Sequence, residues 1–139
     1  MNVIIRKMKI ADYEQLYKLW TTTSGMGLNN VDDSKEGIEK YLERNPNTCF
    51  VAEIENEIVG AILTGHDGRR GIISHTTVSE KVQRQGIGTK LVDAALEALQ
   101  KHGIMSTCSH GHLNYFTIQK LNSTKSLLHY QLSGGKINL

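Results

Sequence analysis

The sequence predicts an α+β fold in which helices flank a mixed, mainly antiparallel central sheet. Three observations carry this expectation. Three β-rich segments between Thr48 and Val78 are joined by tight hairpin turns, a strand and two helical patterns precede them, and a longer helical pattern follows. A length of 139 residues fits one domain with a real core and is too short for two. The expected organisation is a single domain over residues 1–139 with an atypical C-terminal segment, 104–139.

Val3 to Met8 is β-branched and alternating, which predicts a first strand. Asp12 then stands where an N-cap would open a helix running to about Trp20, with Leu16, Leu19 and Trp20 as its apolar face. Thr21 to Asp33 is rich in Gly and small polar residues and has no periodicity, so it is read as a loop; Ser34 caps a second helix reaching about Arg44. Asn45-Pro46-Asn47 stops that helix, because the residue before a proline is driven out of the helical region. Thr48 to Ile54 is the next strand, Glu55-Asn56-Glu57 a hairpin turn, and Ile58 to Thr64 the strand after it. His66-Asp67-Gly68-Arg69 contains an Asp-Gly pair suited to a tight turn, and Gly71 to Val78 returns as a further strand. Ile87, Leu91, Val92, Ala95, Leu96 and Leu99 recur at helical spacing, giving a helix over about Gly88 to Lys101 that Gly103 ends. Ile104 to Cys108 fits a fifth strand, and Asn114 to Tyr130 carries a weaker helical pattern.

Several classes of function fall away on composition. A net charge of +2 provides no dense basic patch for a nucleic acid backbone. No apolar run approaches the roughly 20 residues of a membrane span. The N-terminus lacks the apolar stretch of a secretory signal, so the expected location is the cytoplasm. Cys49 and Cys108 form no CxxC or CxxxH spacing, which leaves a zinc site and a disulfide framework without support.

The stretch Val78-Ser79-Glu80-Lys81-Val82-Gln83-Arg84-Gln85-Gly86-Ile87-Gly88-Thr89 leads from a strand through a polar loop into a helix. Gly86 and Gly88 allow backbone amides to approach a ligand, and the N-terminus of a helix favours an anion such as a pyrophosphate. A dinucleotide fingerprint would need glycine at Leu91, and a Walker loop would need Gly-Lys-Ser/Thr where this chain has Gly88-Thr89-Lys90. The same glycines also fit an ordinary strand-to-helix turn, and Arg84 a plain surface position.

Gln83-Arg84-Gln85-Gly86-Ile87-Gly88 resembles the Gln/Arg-x-x-Gly-x-Gly/Ala signature of the GNAT superfamily of N-acetyltransferases, placed after a strand and before a helix as in that family. With the opening strand-helix-helix and the three strands, the resemblance covers about residues 3–103. It implies acetyl-CoA as cosubstrate, with the amides of Gln83, Arg84, Gln85, Gly86, Ile87 and Gly88 on the CoA pyrophosphate and Thr89 nearby. It further implies that Thr76, Thr77 and Val78 pair their backbone with the pantetheine arm, and that the acceptor is a primary amine on a small molecule or a protein N-terminus, selected in part by the loop Thr21 to Asp33. Gly65-His66-Asp67-Gly68-Arg69-Arg70-Gly71 is similar to a glycine-rich hairpin of a bacterial GNAT subgroup, and equally to a solvated turn.

Acetyl transfer requires a neutral amine, a polarised thioester carbonyl and a proton for the departing thiolate. The strand Ile72 to Thr77 contains no carboxylate, and its one group that titrates near neutrality is His75. His75 is the candidate base, with a structural histidine as the alternative. Strict alternation would set His75 on the face opposite Ser74 and Thr76. The resemblance implies a Tyr as acid, for which Tyr115 and Tyr130 are available.

All 14 acidic residues lie at or before Glu97, while four of the six histidines follow it. The segment from Met105 departs from the family pattern, as the product of a shifted reading frame would. A CoA-binding protein impaired in catalysis is therefore the alternative function. An incomplete sheet would also leave an edge on which a second copy could pair.

Overall fold

A computed structural model of the chain describes residues 2–23, 26–109 and 115–117. Among these residues six strands form one sheet in sequence order: β1 (Ile4–Lys7), β2 (Phe50–Ile54), β3 (Glu57–His66), β4 (Gly71–Val78), β5 (Ser106–Ser109) and β6 (Tyr115–Thr117). Every neighbouring pair is antiparallel except β4 and β5, which run parallel through Gly71↔Thr107, Ile72↔Cys108 and Ile73↔Ser109. The parallel pair follows from α3 (Ile87–Lys101), which carries the chain back along the sheet before β5 begins. The expected α+β class is the one found.

Helices cover both faces. On one side α3 sets Ile87, Leu91, Val92, Ala95 and Leu99 against Ala52, Val59, Ile62, Ile73 and Val78. On the other, α1 (Tyr13–Thr22) and α2 (Lys35–Arg44) set Leu16, Leu19, Trp20, Ile38 and Leu42 against Val51, Ile58, Ala61 and Leu63. The strands alternate in this way because successive side chains point to opposite faces. Gly60 is fitted to α3, since a Cβ there would lie 3.0 Å from the Leu91 side chain and 3.3 Å from Ile87.

The turns follow local chemistry. Glu55 and Asn56 both adopt positive φ, 51° and 66°, so the β2–β3 turn is a two-residue hairpin and Glu57 already belongs to the strand. In the β3–β4 turn Asp67 Oδ1 accepts both the Arg69 and Arg70 N–H groups at 2.8 Å, and Gly68 takes φ 93°. Ser34 caps α2 by accepting the Gly37 N–H at 3.0 Å. Gly103, at φ 75°, ends α3 as the sequence predicts.

Two expectations are corrected. Asp12 does not cap α1; its Oδ2 accepts the Lys9 N–H at 2.8 Å, closing a 3₁₀ turn, and its carboxylate binds the Arg6 guanidinium, which also grips Glu53. Residues 115–117 are strand, not the start of a helix; the rest of that helical pattern, with Asn114 and Tyr130, lies outside the described residues.

Burial works to raise the Asp12 carboxyl, but Arg6 and the Lys9 N–H outweigh it and hold the group below the ordinary carboxylate range. A depressed carboxyl contributes stability that is present above its unfolded pKa and lost as pH falls through the folded value. Arg6→Met is therefore expected to lower stability by about 1–2 kcal/mol at neutral pH, with the difference from the parent shrinking below about pH 4. Urea unfolding across that pH range measures it; a constant difference would contradict the account.

Candidate active site

The site is organised by an irregularity in β4. The β3–β4 ladder runs Gly60↔Val78 and Ala61↔Thr77, then resumes at Leu63↔Ser74, so His75 and Thr76 together stand opposite Ile62. This is a β-bulge, and His75 occupies it with φ 48°. A bulge breaks the two-residue alternation. Ser74 and His75 consequently both reach the face covered by α1 and α2: Ser74 lies near the Tyr41 hydroxyl of α2, while His75 packs on Trp20 of α1. The expectation that His75 faces away from Ser74 is overturned.

His75 is held on two sides. Its Nε2 lies 2.5 Å from Asp33 Oδ1, with side chains 18% and 7% exposed, and its ring meets Trp20 edge-on at 5.3 Å between centroids. The Trp20 indole N–H is buried with no partner among the described residues, so an acceptor atom is wanted beside this ring. Thr77 is fully buried, its hydroxyl within 3.3 Å of Met26 Sδ, so its side chain is packed away from any ligand. Burial pushes the Tyr41 phenol up, against a smaller opposing effect from Ser74, so Tyr41 is a neutral hydrogen-bonding group here. Cys49, pushed up to about 12 by burial, offers no thiolate nucleophile.

Asp33 comes from the 27–34 loop, which is seated on the start of α2. A Cβ on Gly37 would lie 2.5 Å from the carbonyl oxygens of both Val31 and Asp32. Gly37→Ala is expected to displace residues 31–33 and part Asp33 from His75, at about 1–3 kcal/mol in stability. Loss of fluorescence quenching or a shift at Trp20, together with a lowered midpoint of unfolding, would report it; an unchanged spectrum would refute it.

At the far end of β4 the chain enters the polar loop. A 3₁₀ turn spans Glu80–Val82, Arg84 takes φ 65°, and Gly86 takes φ 83° as the residue before α3. Gln83 turns its amide back to the Val78 carbonyl at 2.9 Å, so its side chain closes the loop. No side chain among the described residues caps α3. The first amides of the helix, at Ile87, Gly88 and Thr89, have no acceptor from within it. Ile87, 2% exposed, anchors that end to the sheet, while Arg84, Gln85 and Gly86 are exposed. Beyond Ile73, β4 has no paired strand on its β5 side among the described residues. Among the described residues the free amides at the start of α3 and an unpaired stretch of the β4 edge thus adjoin. The backbone of Tyr115 lies on β6 opposite Cys108 of β5. Among the described residues no group of three or more His, Cys, Asp or Glu is placed to hold a metal.

The family model for the acetyltransferase (GNAT) family matches residues 13–116. The chain belongs to the GNAT acetyltransferase family. It is by that membership an acyltransferase. An acetyltransferase of Pectobacterium atrosepticum is 31% identical over 109 residues, 78% of this chain and 73% of the relative. One of Sodalis glossinidius is 30% identical over 99 residues, 71% of this chain and 68% of the relative. Among solved structures, Ard1 of Thermoplasma volcanium superposes with a TM-score of 0.72 at 17% identity, covering 99% of this chain and 84% of its own. The PaiA N-acetyltransferase of Thermoplasma acidophilum, solved with coenzyme A, gives 0.70 at 19% identity over 94% of this chain and 87% of its own. At these identities the structural likeness is one of fold.

The sequence singled out the Gln83 to Thr89 loop and His75 as candidates, and did not single out Asp33, Trp20 or Tyr41, which the structure sets on the same face as His75. Trp20 and Tyr41 sit on the apolar faces of their helices and were legible as core; Asp33 sits in a loop without periodicity, where the adjacent Ser34 cap was the one local signal. No helix among the described residues is long and apolar enough to cross a membrane.

Proposed function

We propose that this chain transfers the acetyl group of acetyl-CoA to a primary amine, with a small molecule or a protein N-terminus as acceptor. The observation that carries the reading is the start of α3, uncapped among the described residues behind the left-handed Gly86, adjoining the edge of β4 that has no described partner beyond Ile73. The residues fit the cosubstrate in its anionic part: the amides from Gln83 to Thr89 and the exposed Arg84 suit a pyrophosphate, and the reading assigns the backbone of Thr76, Thr77 and Val78 to an amide-bearing arm, which would displace Gln83 from the Val78 carbonyl. Acetyl-CoA supplies the activated acyl group.

On the other side of the bulge, His75 accepts a proton from the incoming ammonium, which makes the nitrogen nucleophilic. The nitrogen–carbon bond forms as the carbon–sulfur bond breaks. The amine sheds two protons in all: His75 takes the first, Tyr115 on β6 gives its phenolic proton to the departing thiolate in this reading, and the second amine proton restores the phenol. The Thr21 to Asp33 loop, whose Asp33 touches His75, borders the acceptor.

Thermal unfolding with and without acetyl-CoA is the first test, since a ligand bound only by the folded state raises stability by RT ln(1 + [L]/Kd). A panel of primary alkylamines and short peptides, assayed by release of free thiol, is the second. Absence of any stabilisation at millimolar acetyl-CoA would remove the reading; stabilisation without turnover on any amine would leave a CoA-binding protein.

A further inference from the structure

The contact between Asp33 and His75 is built more firmly than a surface ion pair. Asp33 is fixed at four points: its backbone N–H donates to Asn29 O at 3.0 Å, its carbonyl accepts the Tyr13 hydroxyl at 2.6 Å, its Oδ2 accepts the Asn29 N–H at 2.6 Å, and its Oδ1 faces His75 Nε2 at 2.5 Å. Its neighbour Ser34 is the N-cap of α2. The loop, two helices and the bulge therefore converge on one nitrogen of one imidazole. The bulge itself places a residue with a Cβ at φ 48°, a conformation that survives only where its surroundings enforce it.

An ionised carboxylate only accepts hydrogen bonds, so the nitrogen facing Asp33 must carry the hydrogen. In the neutral ring that assigns the proton to Nε2 and the lone pair to Nδ1. Nδ1 has no hydrogen-bonded partner among the described residues. Trp20, 1% exposed, sets the plane of the ring from the side.

We infer that Asp33 is a positioning residue that fixes His75 in the Nε2–H tautomer and aims its Nδ1 lone pair at the acceptor ammonium. The inference rests on the acetyltransfer reading for its kinetic consequence but not for its structural one. In the step, the ammonium N–H bond breaks and a proton joins Nδ1. The Nε2–H stays with the imidazolium, stabilised by the Asp33 charge, and Asp33 itself gains no proton.

The test has two arms. Long-range ¹H–¹⁵N spectra of the full chain, labelled at histidine and assigned by His75→Asn, read the tautomer directly. The Nε2–H form is expected in the parent, and the Nδ1–H form there would overturn the inference whether or not any amine is turned over. Kinetics of Asp33→Asn then separate positioning from architecture, because Asn keeps the size and an acceptor for the Asn29 N–H. A fall in kcat of at least about tenfold is expected, with KM for acetyl-CoA changed less than about twofold. In a His75→Asn background, Asp33→Asn is expected to have no further effect on the residual rate. An unchanged kcat in Asp33→Asn, or losses that multiply in the double variant, would reduce Asp33 to a latch for the loop. A parent chain that neither binds nor uses acetyl-CoA would instead overturn the functional reading and leave the tautomer result standing.

Discussion

Gly86→Glu is expected to abolish the stabilisation that acetyl-CoA confers on the parent protein. Two effects combine at this position. Gly86 takes φ 83°, where a residue with a Cβ is strained by about 1–2 kcal/mol, so the variant unfolds at a lower temperature even without ligand. No described atom lies within 4 Å of the position a Cβ would take, so a side chain can leave the backbone there without a clash. Its carboxylate then stands beside the amides of Ile87, Gly88 and Thr89, where the positive end of α3 attracts it and where it repels a phosphate. Binding at a hundred times Kd is worth about 2.7 kcal/mol to the parent and is expected to vanish in the variant. Gly86→Asn is the control. Asn tolerates the left-handed conformation and adds no charge, so it should keep most of the response. If both variants lose it equally, loop shape and not charge governs the site. If Gly86→Glu keeps it, the pyrophosphate is not held at the start of α3.

The loop could be read from sequence because everything that makes it is local: a strand ending at Val78, glycines at a turn, and a helical period starting at Ile87. The strands from Phe50 to Val78 were legible for the same reason, since their hairpins are closed by Glu55-Asn56 and Asp67-Gly68. The bulge was not. It exists because Leu63 pairs with Ser74 while Ala61 pairs with Thr77, and a mismatch of one residue between two strands leaves no mark in either segment alone. Asp12 shows the opposite failure. Its position before a helical period signals a cap, yet the Arg6 guanidinium from β1 draws its carboxylate to the sheet, a partner that local reading cannot supply. At Tyr115 to Thr117 a weak helical spacing lost to pairing with Ser106, Thr107 and Cys108, where backbone hydrogen bonds to β5 decide the conformation.

The bulge also decides how His75 should be tested. His75→Asn is expected to lower kcat for acetyl transfer by about 10²–10⁴, the usual contribution of a positioned general base, while leaving acetyl-CoA binding intact. Asn is the appropriate replacement because it adopts positive φ with less strain than Ala, so the bulge at φ 48° and the register of β4 should persist. The backbone of Thr76 to Val78, to which the proposed function assigns the pantetheine arm, then stays in place, and the thermal response to acetyl-CoA should match the parent. The amide of Asn cannot take a proton from an ammonium, whatever its contact with Asp33. If kcat holds within about threefold, His75 is a structural residue that joins the 27–34 loop to β4, and deprotonation falls to water or to the acceptor's own equilibrium. If kcat falls but acetyl-CoA no longer stabilises the fold, the histidine was supporting the strand edge and not the chemistry. A fall confined to kcat separates a group that serves the proton transfer from a strut, because loss of a strut disturbs the strand that carries it or the cosubstrate beside it.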